Sequence, residues 1–280
     1  MKPFFCSFIL LFFCNAIAIG QQTAVIKEIL PFGNNPQAGK YYNIRGMKMY
    51  CEVYGKGQPL LMIHGNNGSI ENFKQQIPYF SQHYKVIIAD SRAQGKSIDK
   101  GDSLSYEMMA DDYAALLDAM HLDSANVIGW SDGGINGLLL AMRRPDLVRR
   151  LAVTGPNLWP DTTAIHPVVV QQIRDWAKDA KAAADKNRLK LMQLMLDQPN
   201  IPLQTLHVIK CPVLVIGGDH DVIREEHTMQ IYQHIPQAYL WILPNSGHST
   251  LITYKEDFNK IVANFLKNPY RVIEGEGRFN

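Results

Sequence analysis

Short apolar runs alternate with polar, glycine-containing stretches along most of the chain, and several of these runs are rich in β-branched residues. Such runs are typical of strands that are buried on both faces of a sheet. Between some of them, apolar residues recur at helical spacing, as at Ile135, Leu138 and Met142. The pattern therefore predicts alternating strands and helices, an α/β fold. The predicted strands are 41–44, 47–54, 60–63, 86–89, 125–129, 151–154, 212–216 and 238–243.

One helix is predicted from Ser105 through Met120, because serine is a common helix N-cap. Asp111, Asp112 and Asp118 are expected on the solvated polar face of this helix.

The alternation of strand and helix is interrupted between about residues 157 and 209. Within this segment Ile173, Trp176 and Ala180 lie on one apolar stripe at helical spacing. The apolar residues between 189 and 196 point to nearly all sides of a helix, and such a helix must be covered on two sides. The segment 157–209 is therefore predicted to be a helical lid. The core is then formed by 41–156 and 210–268, and 269–280 is a C-terminal tail.

The composition is that of one large domain. The chain has 280 residues, of which 46% are hydrophobic, and a formal net charge of +2. This balance gives no electrostatic reason to expect nucleic acid as a partner. The expected partner is a small-molecule substrate, and nothing in the sequence indicates an oligomeric state.

The first twenty residues resemble a secretory signal peptide. Lys2 supplies the positive charge, 4–13 form a dense apolar segment, and small residues precede a cleavage point before Gln21. The apolar segment is short for a membrane span, so no stable span is expected after processing. We therefore predict export to the periplasm or the medium, with 21–40 as a loop-rich leader into the domain.

Residues 129–133 read Gly-Trp-Ser-Asp-Gly and stand between a predicted strand and a predicted helix. This is the context in which G-x-S-x-G means a nucleophile elbow. A serine at so sharp a turn has strained backbone and needs small neighbours, which Gly129 and Gly133 provide. Ser131 is therefore the predicted nucleophile.

A serine nucleophile needs a base, and the base needs a carboxylate that orients it. The predicted strand 238–243 runs into a loop that presents His248, the predicted base. The strand before it ends in a loop with two acids, Asp219 and Asp221, and the residues alone leave the choice between them open. His220 has no second ligand at metal-binding spacing, so neither a metal nor a cofactor is predicted. The histidines 83, 121, 166, 207, 227 and 234 are expected to be solvated.

With these motifs the chain resembles the α/β-hydrolase superfamily. The resemblance implies a mostly parallel eight-stranded sheet flanked by helices, with a short helical lid. It also implies that Asp221 is the acid, because the family places its acid where this residue stands. Ala93 departs from the family pattern, which has glycine there. The matching segments are 64–65, 90–97, 129–134, 218–221 and 247–248.

The resemblance also implies an oxyanion hole. The loop after the strand 60–63 supplies one backbone N–H, assigned to Asn66, and the residue after the nucleophile, Asp132, supplies the other. The side chains of Asn66 and Asn67 could also bond substrate or simply form turns. His64 is expected to brace this loop.

Within the superfamily, residues 129–134 resemble the valacyclovir hydrolases and the biphenyl-hydrolase-like group, which implies that Asp132 binds an α-amino group of the substrate. The alternative is that Asp132 only stabilises the helix N-terminus.

The predicted pocket residues are Trp130, Leu158 and Trp159, together with Asn67. The predicted function is cofactor-free hydrolysis of a small carboxylic ester. The alternatives are a perhydrolase or haloperoxidase, a carbon–carbon bond hydrolase, and a non-catalytic binding protein on the same fold.

Overall fold

An eight-stranded sheet organises residues 31–279, the part of the chain that this computed structural model describes. The strand order is β1-β2-β4-β3-β5-β6-β7-β8, and every pair from β4 to β8 across the sheet is parallel. β2 runs antiparallel to both of its neighbours, β1 and β4. The mostly parallel eight-stranded sheet is thus confirmed. The strands are β1 Gly39–Ile44, β2 Met47–Tyr54, β3 Gln58–Ile63, β4 Tyr84–Ala89, β5 Ala125–Trp130, β6 Val148–Thr154, β7 Val213–Gly218 and β8 Ala238–Leu243.

Helices cover both faces of the sheet because successive side chains of a strand point to opposite faces. On one face Leu61 and Ile63 belong to an apolar cluster with α2 and α3, and on the other Leu60 and Met62 belong to a cluster with α1 and α8. The central strands are buried on both faces, which is why they appear as continuous apolar runs in the sequence. The helices are α1 Ile77–Phe80, α2 Tyr106–Ala119, α3 Asp132–Arg143, α4 Pro167–Ala182, α5 Lys186–Asp197, α6 Glu225–Gln233, α7 Thr250–Thr253 and α8 Lys255–Lys267.

Helix α2 begins where the sequence predicted, since the side chain of Ser105 accepts a hydrogen bond from the N–H of Met108 at 3.1 Å. The expectation that Asp112 is solvated is wrong. Asp112 is fully buried and accepts two hydrogen bonds from the guanidinium of Arg92, at 2.6 and 2.7 Å. A buried carboxylate is tolerated here because a bidentate arginine compensates its charge.

The segment between β6 and β7 contains α4 and α5, the two helices of the predicted lid. Helix α5 is attached to the core through polar side chains as well as apolar ones. Asn187 donates to the carbonyl of Ala93 at 2.7 Å, and Lys190 donates to Asp99 at 2.9 Å and to the carbonyl of Gly101 at 2.7 Å. These bonds tie the lid to the loop between β4 and α2.

The start of the described chain is held by one buried carboxylate. Glu52 of β2 accepts hydrogen bonds from the backbone N–H groups of Gly33 and Asn35, both at 2.8 Å, and from the hydroxyls of Tyr50 at 2.8 Å and Tyr54 at 2.7 Å. The last part of the predicted leader is therefore packed against the sheet, and β1 begins at Gly39.

The predicted signal peptide and the first half of the leader lie outside the described residues. From residue 31 to 279, no helix is both long enough and apolar enough to cross a bilayer.

Candidate active site

Ser131 occupies the sharp turn between β5 and α3, with backbone angles φ 56° and ψ −120°. Positive φ is uncommon for a residue with a Cβ atom, and such a conformation costs about 1–3 kcal/mol. The turn is possible because its neighbours are glycines: a Cβ at Gly129 would collide with the carbonyl of Gly133, and a Cβ at Gly133 with the carbonyl of Ile63. The strained turn therefore costs stability, and it places the hydroxyl of Ser131 above the edge of the sheet.

The imidazole of His248 bridges Ser131 and Asp221. Its Nε2 lies 2.9 Å from Oγ of Ser131, and its Nδ1 lies 2.6 Å from Oδ1 of Asp221. Asp221 is buried and also accepts the N–H of Ile223 at 3.2 Å. Burial acts to raise the pKa of Asp221, but the hydrogen bond and charge attraction from His248 outweigh it and hold the pKa below its ordinary value. The arrangement orients one imidazole nitrogen toward the carboxylate and the other toward the hydroxyl.

Asp219 has a different place. Its two carboxylate oxygens accept the backbone N–H groups of Asn245 and Ser246, each at 2.9 Å. These two hydrogen bonds lower the pKa of Asp219 and connect the loop after β7 to the loop that carries His248. Of the two candidate acids, the structure therefore brings Asp221 to the histidine and uses Asp219 as a loop brace.

Two backbone N–H groups are available beside Ser131. The loop after β3 approaches the serine so closely that a Cβ at Gly65 would lie 3.1 Å from the Cβ of Ser131. Among the residues that the structure describes, the N–H groups of Asn66 and Asp132 have no protein acceptor. Asp132 is also the first residue of α3, whose dipole favours negative charge at this end. The two predicted oxyanion donors are therefore not engaged by the described part of the protein, as an oxyanion hole requires.

The carboxylate of Asp132 is part of the same wall. It is 3% exposed and accepts a hydrogen bond from Nδ2 of Asn66 at 2.9 Å. Burial raises its pKa to about 6, although hydrogen bonds from Asn66 and Tyr106 and the charge of His248 act in the opposite direction. Between residues 31 and 279, no cationic side chain forms an ion pair with it.

The indole of Trp130 supports the histidine loop. Its Nε1 donates to the backbone carbonyl of His248 at 2.9 Å, and the two rings are 6.1 Å apart. Trp130 also lines the cavity in front of Ser131, as does Asn67.

The cavity has a volume of about 560 Å³ and two different walls. The loop after β3 and the turn at Ser131 form a polar wall, and the lid together with the loop after β7 forms an apolar one. Tyr106 and Asn157 line it without having been predicted, because no motif marks them. The apolar wall is made by Ile165, Val169, Ile173, Trp176, Met192, Met195, Val222 and Ile223.

Two predicted pocket residues lie outside the cavity lining. Leu158 is fully buried in the core, and its N–H donates to Nε2 of His227 at 2.9 Å. The ring of Trp159 stands edge-on to His227 at 4.4 Å. His227 is itself fully buried, so the expectation that it is solvated is wrong, and burial lowers its pKa to about 4. These residues fix the start of the lid.

His64 braces the loop after β3, as expected. Its Nε2 accepts the N–H of Ser91 at 2.9 Å, and its Nδ1 lies 2.8 Å from the carbonyl of Gly65. Within the described part of the chain, no group of three or more His, Cys, Asp or Glu side chains is placed to hold a metal ion.

Comparison with known proteins bears on the fold. The family model described as alpha/beta hydrolase fold matches residues 58–192. The chain is 25% identical to mouse (Mus musculus) serine hydrolase BPHL over 252 residues, which is 80% of this chain and 84% of the relative.

The chain has the α/β-hydrolase fold. A second relative, a putative carbamate hydrolase RutD from Caulobacter sp. (strain K31), is 28% identical over 78% of this chain and 95% of its own. Among solved structures, the enol-lactonase from Burkholderia xenovorans LB400 superposes with a TM-score of 0.69 at 20% identity, covering 82% of this chain and 100% of the lactonase.

Proposed function

We propose that this α/β-hydrolase cleaves small-molecule carboxylic esters with Ser131 as nucleophile. The observation that carries the proposal is the continuous chain of hydrogen bonds from Ser131 through His248 to Asp221, at 2.9 and 2.6 Å, open to a cavity of about 560 Å³. A nucleophile, a base in contact with it and an acid behind the base are the arrangement that activates a serine hydroxyl.

In the proposed reaction, Oγ of Ser131 attacks the ester carbonyl carbon while Nε2 of His248 takes the hydroxyl proton. The N–H groups of Asn66 and Asp132 stabilise the resulting oxyanion. The C–O bond of the ester then breaks, and the leaving alcohol takes the proton from His248. Water attacks the acyl-enzyme by the same route, which releases the acid and regenerates Ser131.

The test is hydrolysis of a series of small esters by the purified protein, with Ser131→Ala as the blank. Removing the nucleophile is expected to lower kcat by about 10⁵–10⁶-fold. A fluorophosphonate probe should label the wild-type protein and leave Ser131→Ala unlabelled. Undiminished turnover by Ser131→Ala would show that another group does the chemistry.

We further propose that Asp132 gives the site a preference for α-amino or cationic acyl groups. The support is its position in the cavity wall, where its carboxylate accepts hydrogen bonds from neutral donors, the Asn66 amide and the Tyr106 hydroxyl. A cationic group of the substrate would compensate this charge.

The measurement is the rate ratio between an α-aminoacyl ester and its deaminated analogue. Asp132→Asn is expected to lower kcat/KM for the amino ester by about 10-fold and to change it less than 3-fold for the analogue, since only the first loses an ion pair. Equal losses on both esters would exclude the recognition role.

Export remains a proposal that the sequence of residues 1–20 supports. Cell fractionation with measurement of the mature mass tests it. A protein that starts at Gln21 outside the cytoplasm is expected, and an intact N-terminus in the cytoplasm would contradict it.

A further inference from the structure

The side-chain amide of Asn66 connects three separate parts of the molecule. Its Nδ2 donates to Oδ2 of Asp132 at 2.9 Å and to the backbone carbonyl of Leu191 at 3.3 Å. Asn66 lies in the loop after β3, Asp132 begins α3, and Leu191 lies in α5 of the lid. We call these two hydrogen bonds the Asn66 clamp.

The clamp joins the two residues that are assigned the oxyanion N–H groups, Asn66 and Asp132. These residues are 66 positions apart in the chain and belong to different elements, so their relative position is not fixed by local geometry. The hydrogen bond between their side chains connects them directly. An oxyanion hole depends on donors that are already in place before charge develops.

We propose that the side chain of Asn66 is a positioning group, which sets the two oxyanion N–H groups relative to each other. The inference rests on the proposed function, because it concerns how the oxyanion of that reaction is held.

Electrostatics give the clamp a second consequence. The carboxylate of Asp132 is nearly enclosed and stands close to where negative charge would develop. The Asn66 amide holds this carboxylate by one of its two oxygens. Without the amide, a buried carboxylate would lose a hydrogen bond and gain freedom to turn toward the oxyanion, and loss of a partner for a buried charged group costs about 1–3 kcal/mol or more.

The connection to the lid can be tested separately, because α5 has other attachments. Asn187 and Lys190 hold the first half of this helix to the loop between β4 and α2. Shortening Asn66 therefore leaves α5 docked, and shortening Asn187 loosens α5 without touching Asp132.

The first experiment compares Asn66→Ala, which keeps the backbone N–H, with the matched control Asn187→Ala, which removes a different amide-to-backbone bond of the lid. For Asn66→Ala, kcat on a small ester is expected to fall about 10-fold or more with KM within 2-fold, since loss of a complete oxyanion donor costs about 10²–10³-fold. Affinity for a trifluoromethyl ketone, which forms an oxyanion with Ser131, should fall in parallel.

The control variant Asn187→Ala should leave kcat within 2-fold of the wild-type value. An effect of Asn66→Ala on KM alone would overturn the proposal.

A double-mutant cycle with Asp132→Ala isolates the contact between the two side chains. If the clamp acts through this contact, the double variant is expected to be no more than 2-fold slower than the slower single variant. Losses that multiply would show two independent roles and would refute the coupling.

A third measurement does not depend on turnover. The carboxyl group of Asp132 is titrated by ¹³C NMR in wild type and in Asn66→Ala, with Tyr106 and His248 facing it in both. The titration midpoint should rise above that of wild type, about 6, because the carboxylate loses a donor. Asn66→Ser takes the place of Asn66→Ala if the latter does not fold.

These readouts separate the two proposals. A raised midpoint in a protein that hydrolyses no ester would support the clamp and contradict the proposed function. An active enzyme whose kcat and midpoint are both unchanged in Asn66→Ala would contradict the clamp and leave the proposed function standing.

Discussion

At the scale of single residues, Asp221 and Asp219 provide a sharp comparison, because two carboxylates of one loop contact different partners. Asp221 contacts Nδ1 of His248, whereas Asp219 accepts two backbone N–H groups. Asp221→Asn is expected to lower kcat by about 10³–10⁴-fold, since the amide favours the wrong imidazole tautomer. Asp219→Asn should cost no more than about 10-fold through a looser loop. Ester kinetics of both variants measure this, and equal losses would contradict the assignment.

Residue type alone could not show which of Asp219 and Asp221 contacts His248. Both acids follow the same strand, and which of them reaches His248 depends on how the loop folds against Asn245 and Ser246. The same reason explains Asp112, which was expected to be solvated. Its partner Arg92 is 20 residues away in sequence, and no local pattern shows that the two meet. Sequence motifs predict the role of a residue when that role depends on neighbouring residues of the chain. The roles of the other residues depend on contacts with residues that are distant in sequence.

At the scale of elements, the attachment of α5 governs the apolar wall of the cavity. Lys190 is nearly buried and donates to Asp99 at 2.9 Å, while Met192 and Met195 of the same helix line the cavity. Asp99 keeps its bond to Arg92 at 2.9 Å when the lysine is removed. Lys190→Ala is therefore expected to loosen α5 and raise KM about 3–10-fold, with kcat within 2-fold, because a buried charge-assisted bond contributes about 1.5–3 kcal/mol.

The matched control for this prediction is Lys178→Ala in α4, which removes an ion pair with Asp175 at 3.0 Å between exposed side chains. Exposed pairs of this kind contribute about 0–1 kcal/mol, so KM should not change. A KM effect of equal size in both variants would mean that α5 is not held by Lys190.

The segment 157–209 shows what hydrophobic periodicity can and cannot predict. The two helices of this segment, α4 and α5, follow from the interrupted alternation and the apolar stripes. The packing of the residues that precede α4 does not follow from the sequence, because Leu158 and Trp159 contact His227 of the distant helix α6 instead of lining the cavity. A sequence pattern shows that a side chain is apolar, and the tertiary packing decides whether it faces substrate or core.

At the scale of the whole molecule, the site is expected to carry a stability cost that depends on pH. Burial raises the pKa of Asp132 from its ordinary value of 3.8 to about 6. Because the folded state binds this proton more tightly than the unfolded state, folding gains stability below the unfolded pKa and loses it as the pH rises through about 6. This difference in the pKa of Asp132 corresponds to about 3 kcal/mol in the free energy of unfolding.

Asp132→Asn removes this ionisation while keeping a side chain of the same shape that can accept from Asn66. The variant is therefore expected to be more stable than wild type at pH 8 by up to about 3 kcal/mol, and to match it near pH 4, where the wild-type carboxyl is already protonated. Urea unfolding at both pH values measures the difference.

Ser131→Ala serves as the control, because it changes the site without changing a charge, and its effect should be the same at both pH values. A stability difference of Asp132→Asn that does not vary with pH would show that this carboxylate is not penalised by burial. The expected result would instead mean that the fold retains an acid beside its nucleophile at the expense of stability, as residues kept for function often do.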